Sequence, residues 1–199
     1  MPEKKTTQQL IIEAVITCIE KYGIDKVTTR KIAEQAGTNI ASINYHFRSK
    51  DDLVAAALSM TIKHMMEDIF TTIDNRQQPF EKSLEEVFFY LLDGGVRFPG
   101  ISTAHLYKAI MDRQYDSIGA QAMIKSFEHL VGRAVQEYPR QDPQELRLRL
   151  SLILSSIMFN LLAPNFLKVS SRYQLTSSGN AKNLAAYYTK TFANTINKK

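Results

Sequence analysis

Across 199 residues the chain has a single cysteine, Cys18, which leaves no internal disulfide framework and no cysteine-built metal site, and fits a reducing cytoplasm. No apolar run approaches the roughly 18 residues that a membrane span needs. The nearest, Leu146 to Ala163, is broken by Arg147, Arg149, Ser151, Ser155, Ser156 and Asn160. The opening MPEKKTTQQL carries Glu3 and no continuous apolar stretch, so it does not read as a signal peptide. G-x-S-x-G, the P-loop, G-x-G-x-x-G and H-E-x-x-H are all missing. Acidic pairs such as Asp51-Asp52 and Glu85-Glu86 fall at helix starts or on polar faces, where helix dipole and solvent account for them. Period-two alternation, internal repeats and low-complexity tracts are also wanting. These absences argue against a sheet, a membrane protein and an enzyme, and no cofactor or metal is expected.

What is present is enough apolar material for a core, 44% of residues, with an ordinary 23% charged. The net charge is +5 and the pI about 9.2. Residues 1–50 hold eight Lys/Arg against five Asp/Glu, so a quarter of the chain carries more than half of the surplus. That is compatible with an anionic partner.

Apolar residues recur at three and four, which predicts helix throughout. Leu10, Ile11, Ala14, Val15, Cys18, Ile19 and Tyr22 form a stripe over about 6–22, ended by Gly23. A short helix follows over about 28–36, with Thr28 as N-cap and Gly37 as terminator, and a third over about 39–47. Ser49 then opens a long helix whose first turn holds Asp51 and Asp52. Further helices are predicted at about 80–93, 101–112, 117–137, 143–162 and 181–197. DGGVRFPG, Tyr115–Ser117, Pro139 with Pro143, and a Ser-rich loop over 164–180 are the expected breaks. The expectation is an all-α chain of about nine helices. Residues 1–50 form an N-terminal three-helix unit, and 51–199 a larger helical bundle.

Within TTRKIAEQAGTNIASINYHF, Ile32, Ala33, Ala36, Gly37 and Ile43 have the spacing of a helix-turn-helix. Gly37 supplies the positive φ of the turn, and Ala33 is small where the third helix crosses. With Ile43 and Phe47 inward, Ile40, Ala41, Asn44 and Tyr45 turn outward. A groove-reading helix presents such residues to base edges: Asn44 suits adenine, and Ile40 and Ala41 suit thymine methyl groups. Thr28, Ser42, Tyr45, His46 and Lys50 are hydroxyl, ring and ammonium donors near helix ends, the types that hold phosphates.

On these residues, and above all on NYHF followed by SKDDL, positions 6–55 resemble the DNA-binding domain of the TetR family of transcriptional regulators. The resemblance implies phosphate contacts for Thr28, Tyr45, His46 and Lys50, and base contacts for Ile40, Ala41 and Asn44, with Thr38 and Ser42 in the same DNA-facing set. Arg48 departs mildly, standing where a small residue is common. NIASINYHF is also similar to a subgroup whose members respond to drug-like or cell-stress compounds. The resemblance implies a homodimer on a palindromic double-stranded operator, seamed by helices about 143–162 and 181–197. It also implies a small-molecule effector that releases the DNA by shifting the fourth helix, as in a repressor.

The helix over 143–162 is apolar on nearly all sides after Arg149, so it must be covered by its own subunit or by a partner. Effector contacts are expected among rings and polar groups on otherwise apolar helices: His64, Phe88, His105, Tyr107, Arg113, Phe127 and Asn160. DGGVRFPG reads equally as a hinge and as an ordinary turn. Cys18, on an apolar stripe, reads as a small buried hydrophobe. An alternative is a DNA-binding regulator or activator that senses no small molecule.

Overall fold

Thr6 sits in extended backbone; its hydroxyl oxygen accepts the Gln9 N–H, and the Gln9 side chain accepts the Thr6 N–H. This reciprocal cap starts α1 (Thr7–Tyr22), which ends at Gly23 with φ +78 and runs into a single 3-10 turn, Ile24–Lys26. The computed structural model describes residues 5–111 and 113–196, and those residues are helical with no strand. Thr28 caps α2 (Thr29–Ala36) by accepting the Lys31 N–H, and Gly37 closes it at φ +64. Asn39 caps α3 (Ile40–His46) by accepting the Ser42 N–H at 2.8 Å. The Ser49 hydroxyl bonds Asp52 and starts α4 (Lys50–Asp74). Then come α5 (Phe80–Arg97), α6 (Pro99–Met111), α7 (Ile118–Glu137), α8 (Pro143–Leu162), α9 (Pro164–Ser171) and α10 (Ser178–Ile196).

These helices divide into two compact units. The first comprises Met1–His64 and Gly100–Gly119. Its core joins Ile11, Val15, Cys18 and Ile19 of α1 to Ile32 and Ala33 of α2, Ile43 of α3, Leu53 and Ala57 of α4, and Ile101 and Ala104 of α6. The second comprises Met65–Pro99 and Ala120–Lys199. Its core gathers Phe80, Leu84 and Phe88 of α5, Leu130 and Ala134 of α7, Leu150 and Ile157 of α8, and Ala185 and Phe192 of α10.

Two expected breaks turn out differently. DGGVRFPG does not end α5 near residue 93: the helix continues through Gly94 and Gly95 to Arg97. A Cβ on Gly95 would come within 2.1 Å of Leu161 Cδ2, so the glycine admits α8 to close packing, and that contact outweighs its poor helix propensity. The stretch 164–180 is not all loop either. Pro164, whose fixed φ suits a first helical position, opens α9 one residue after α8 ends, at 106° to it. The described residues therefore hold ten α-helices, close to the nine or so expected. The last helix starts earlier than expected, at Ser178, and its expected end at 197 lies outside the described residues.

α8 is not buried all round by its own subunit. Leu146, Leu150, Ile153 and Ile157 face the core, while Leu148, Leu152 and Phe159 on the opposite side are 56%, 63% and 48% exposed. Among the described residues no single helix is long and apolar enough to cross a membrane.

Candidate nucleic-acid interface

α3 is seven residues long, too short to be stable alone, and its orientation is set by what it buries. Ile43 and Phe47 reach the core shared with Ile32 and Ala33, and Ala36 packs against the edge of that core. The left-handed turn at Gly37 lets the chain reverse within three residues, from the end of α2 to the Asn39 cap.

Anchored this way, α3 turns Ala41 and Asn44 to solvent, with Ile40 46% and Tyr45 85% exposed. Thr38, Ser42 and His46 are half-buried along the same short segment, and Thr28, Arg48 and Lys50 are exposed. The Tyr45 and His46 rings meet edge to face, centroids 5.1 Å apart. Thr28 uses its oxygen to cap α2, which leaves the hydroxyl hydrogen to donate outward. Asn39 is spoken for by its capping role, whereas Asn44 presents both amide groups to solvent. Lys50 pairs with Asp51 at 3.7 Å, an acid that is itself almost wholly solvated. The result is an exposed face of methyl groups, one amide, hydroxyls and cations. These are the group types that complement base edges and phosphates.

Two other cations of this unit are committed elsewhere. Lys31 donates to the Lys26 carbonyl at 2.8 Å and lies 4.3 Å above the Tyr22 ring. Arg30 pairs with Glu34 in an exposed bridge along α2. Cys18 is buried; desolvation raises its pKa, with Lys31 and Lys21 lowering it to a lesser degree, so the thiol is poorly ionised and unreactive.

The residues expected to meet an effector divide between the units. In the first, His64 is exposed on α4, Tyr107 is half-buried on α6, and Arg113 is exposed just after α6 at φ +54. His105 places Nε2 3.1 Å from Thr61 Oγ1, and burial lowers its pKa to about 4, so the ring is neutral near pH 7. Its Nδ1 is buried with no partner. In the second unit, Phe88 is fully buried and meets the Tyr188 ring edge to face. Asn160 donates to the Tyr188 hydroxyl at 2.9 Å, and Ser156 shares the same hydroxyl at 2.7 Å. Tyr188 thus draws Phe88 and Asn160 into one cluster. Phe127 is half-buried with the Arg147 guanidinium 5.6 Å above its ring, and Arg147 forms a two-bond ion pair with Glu128. Among the described residues no group of three or more His, Cys, Asp or Glu is placed to hold a metal.

Sequence reasoning missed Glu20. Its carboxylate accepts the Gly100 N–H at 3.0 Å and the Ile101 N–H at 2.7 Å. A contact spanning 80 residues leaves no local trace in the sequence.

Comparison with known proteins bears on the same region. Residues 11–57 match the family model of bacterial regulatory proteins of the tetR family. The transcriptional dual regulator CecR of Shigella flexneri is 50% identical over 46 residues, 23% of this chain and 20% of CecR. The nicotine-responsive transcriptional repressor HdnoR of Paenarthrobacter nicotinovorans is 27% identical over 70 residues, 35% of this chain and 36% of HdnoR. The matched stretch thus spans well under two thirds of either relative. Over its whole length the fold is similar to that of the fatty acid degradation regulator FadR from Bacillus halodurans, with a TM-score of 0.70 and 13% identity, covering 98% of this chain and 97% of that one. At that identity the likeness is one of fold alone.

Proposed function

We propose that this chain is a transcriptional regulator of the TetR family, as the match of residues 11–57 supports, and that it acts as a ligand-released repressor of a palindromic operator. The observation that carries the reading is the outward face of α3: Ile40, Ala41 and Asn44 beside Tyr45, His46 and Lys50, held out by a buried Ile43 and Phe47. In this reading Asn44 pairs with adenine, Ile40 and Ala41 meet thymine methyl groups, and Thr28, Thr38, Ser42, Tyr45, His46 and Lys50 hold phosphates.

A lone helix of seven residues reads too few bases for useful discrimination, so the functional species is a homodimer placing two copies of α3 in successive major grooves, roughly 34 Å apart. The seam is the solvent-facing side of α8, where Leu148, Leu152, Ser155 and Phe159 recur at helical spacing, together with α10, which exposes Tyr187. Its domain organisation is a DNA-reading N-terminal segment of about 50 residues followed by an effector-binding and dimerisation bundle, and it works in the cytoplasm. An effector bound in the second unit, with Phe88, Phe127 and Asn160 among its contacts, shifts α4, the helix that follows the reading unit directly. A differential affinity of about 1–3 kcal/mol between the two states changes operator occupancy several-fold or more. HdnoR, a nicotine-responsive repressor, supports the effector and a repressing sign, while CecR, a dual regulator, supports a sign that can also be activating.

Selection of bound sites from random duplex DNA tests the proposal. The expected result is a palindrome with half-sites about one helical turn apart. Equal retention of all sequences would refute sequence-specific reading. A library of mid-sized, partly apolar compounds should then contain members that release the selected DNA. Compounds that bind the protein and leave its DNA affinity unchanged would refute effector release.

A further inference from the structure

The chain passes between the two compact units at three places: within α4 after His64, between Pro99 and Gly100, and within α7 after Gly119. Two of these crossings are glycines pressed against backbone of the first unit. A Cβ on Gly100 would lie 2.8 Å from Glu20 Cα and 2.8 Å from the Ile19 carbonyl oxygen. A Cβ on Gly119 would lie 1.9 Å from the His105 carbonyl oxygen. No side chain fits at either point without moving main chain.

Gly100 and Ile101 lie in the first turn of α6, where amide N–H groups have no partner inside the helix. Phe98, just before Pro99, has no side-chain oxygen to cap them. The cap comes instead from Glu20 in the last turn of α1, one carboxylate oxygen to each N–H. Its negative charge also meets the positive end of the α6 dipole. Further along α6, Ile101 and Ala104 are buried in the core that holds Ile32 and Ile43, and His105 reaches Thr61 on α4.

We infer that Glu20 is a positioning residue for DNA reading: it fastens the first turn of α6 to α1, so that α6 moves as part of the unit carrying α3, and whatever displaces α6 displaces the reading helix. An acid gains nothing from a phosphate, so Glu20 acts on DNA through α6 and not by contact. The inference rests on the DNA-binding reading above.

The test uses the full chain and three variants, Glu20→Ala, Glu20→Gln and Gly100→Ala. The DNA is a site selected from random sequence and copies of it with the half-site spacing changed by one base pair. Hydrogen exchange at Gly100 and Ile101, thermal unfolding and affinity for each site are measured together. In Glu20→Ala the two amides exchange about tenfold faster or more, because bonds to a charged acceptor are lost. The unfolding transition stays cooperative and half-site sequence preference persists. The preference for the original spacing over the altered ones falls about fivefold or more. Glu20→Gln, which keeps one acceptor oxygen, recovers part of both protection and spacing preference, and Gly100→Ala behaves like Glu20→Ala. Faster exchange with spacing preference intact overturns the inference, as does unchanged exchange. Wild-type protein that selects no site removes the DNA-binding reading and this inference with it. If Glu20→Ala loses cooperative unfolding, Glu20→Gln decides: full spacing preference despite faster exchange overturns the inference, and a partial loss supports it.

Discussion

Among the helices that hold large apolar side chains out in solvent, α3 and α8 do so in different company. On α3, Ile40 and Tyr45 alternate with Ala41 and Asn44, and Arg48 and Lys50 follow within a few residues. On α8, Leu148, Leu152 and Phe159 repeat along one face with only serine between them. A mixed, cationic face gains from a polyanion whose bases offer methyl groups and amide partners. A mostly apolar face gains chiefly by being covered, at about 25 cal/mol for each Å² of apolar area removed from water. Exposure alone does not name a partner; the neighbours of the exposed residue do.

The difference can be broken outright at α8. Leu148→Glu with Leu152→Glu should convert a dimer to a monomer with unchanged helical circular dichroism, since both positions are already solvated. Operator affinity should drop about 100-fold or more, because one half-site loses the linked second one. A variant that still sediments as a dimer would place the seam elsewhere. Salt sharpens the contrast next. Raising ionic strength from about 50 to about 200 mM should weaken operator binding more than tenfold while changing dimer dissociation only about twofold, and Lys50→Ala should reduce the magnitude of the salt slope by about one per half-site. Asn44→Ala should cost about 1–3 kcal/mol and relax selection at a single base pair per half-site, read from a panel of substituted operators. A loss spread evenly over all sequences would remove its reading role. The smallest effect belongs to Ile40→Ala, less than about 1 kcal/mol and confined to operators with thymine at the contacted position.

How much could be read in advance followed the range of the forces involved. Thr28, Gly37 and Asn39 act on backbone within three residues of themselves, so helix starts, the turn and the outward face of α3 were legible from spacing. All-α architecture was legible too, because helical periodicity is local. Gly95 was not, since its place inside α5 is explained by Leu161, 66 positions away. Nor was α9, whose eight residues are too few to establish a helical period and which sends only the partly buried Leu167 to the core. The effector set illustrates a third case. Phe88 and Asn160 share Tyr188, but nothing in their spacing announced that a tyrosine hydroxyl on α10 would join them.

Cys18 has a use beyond packing. It is the chain's one thiol, 1% exposed, with ionisation opposed by its surroundings. A maleimide or methanethiosulfonate reagent applied to the native protein will therefore leave it untouched. A second cysteine placed on an exposed site such as Arg48 becomes the only reactive handle on each copy of the chain. Two such handles in the proposed dimer would form a molecular ruler between the surfaces proposed to face DNA, with no background from the native sequence.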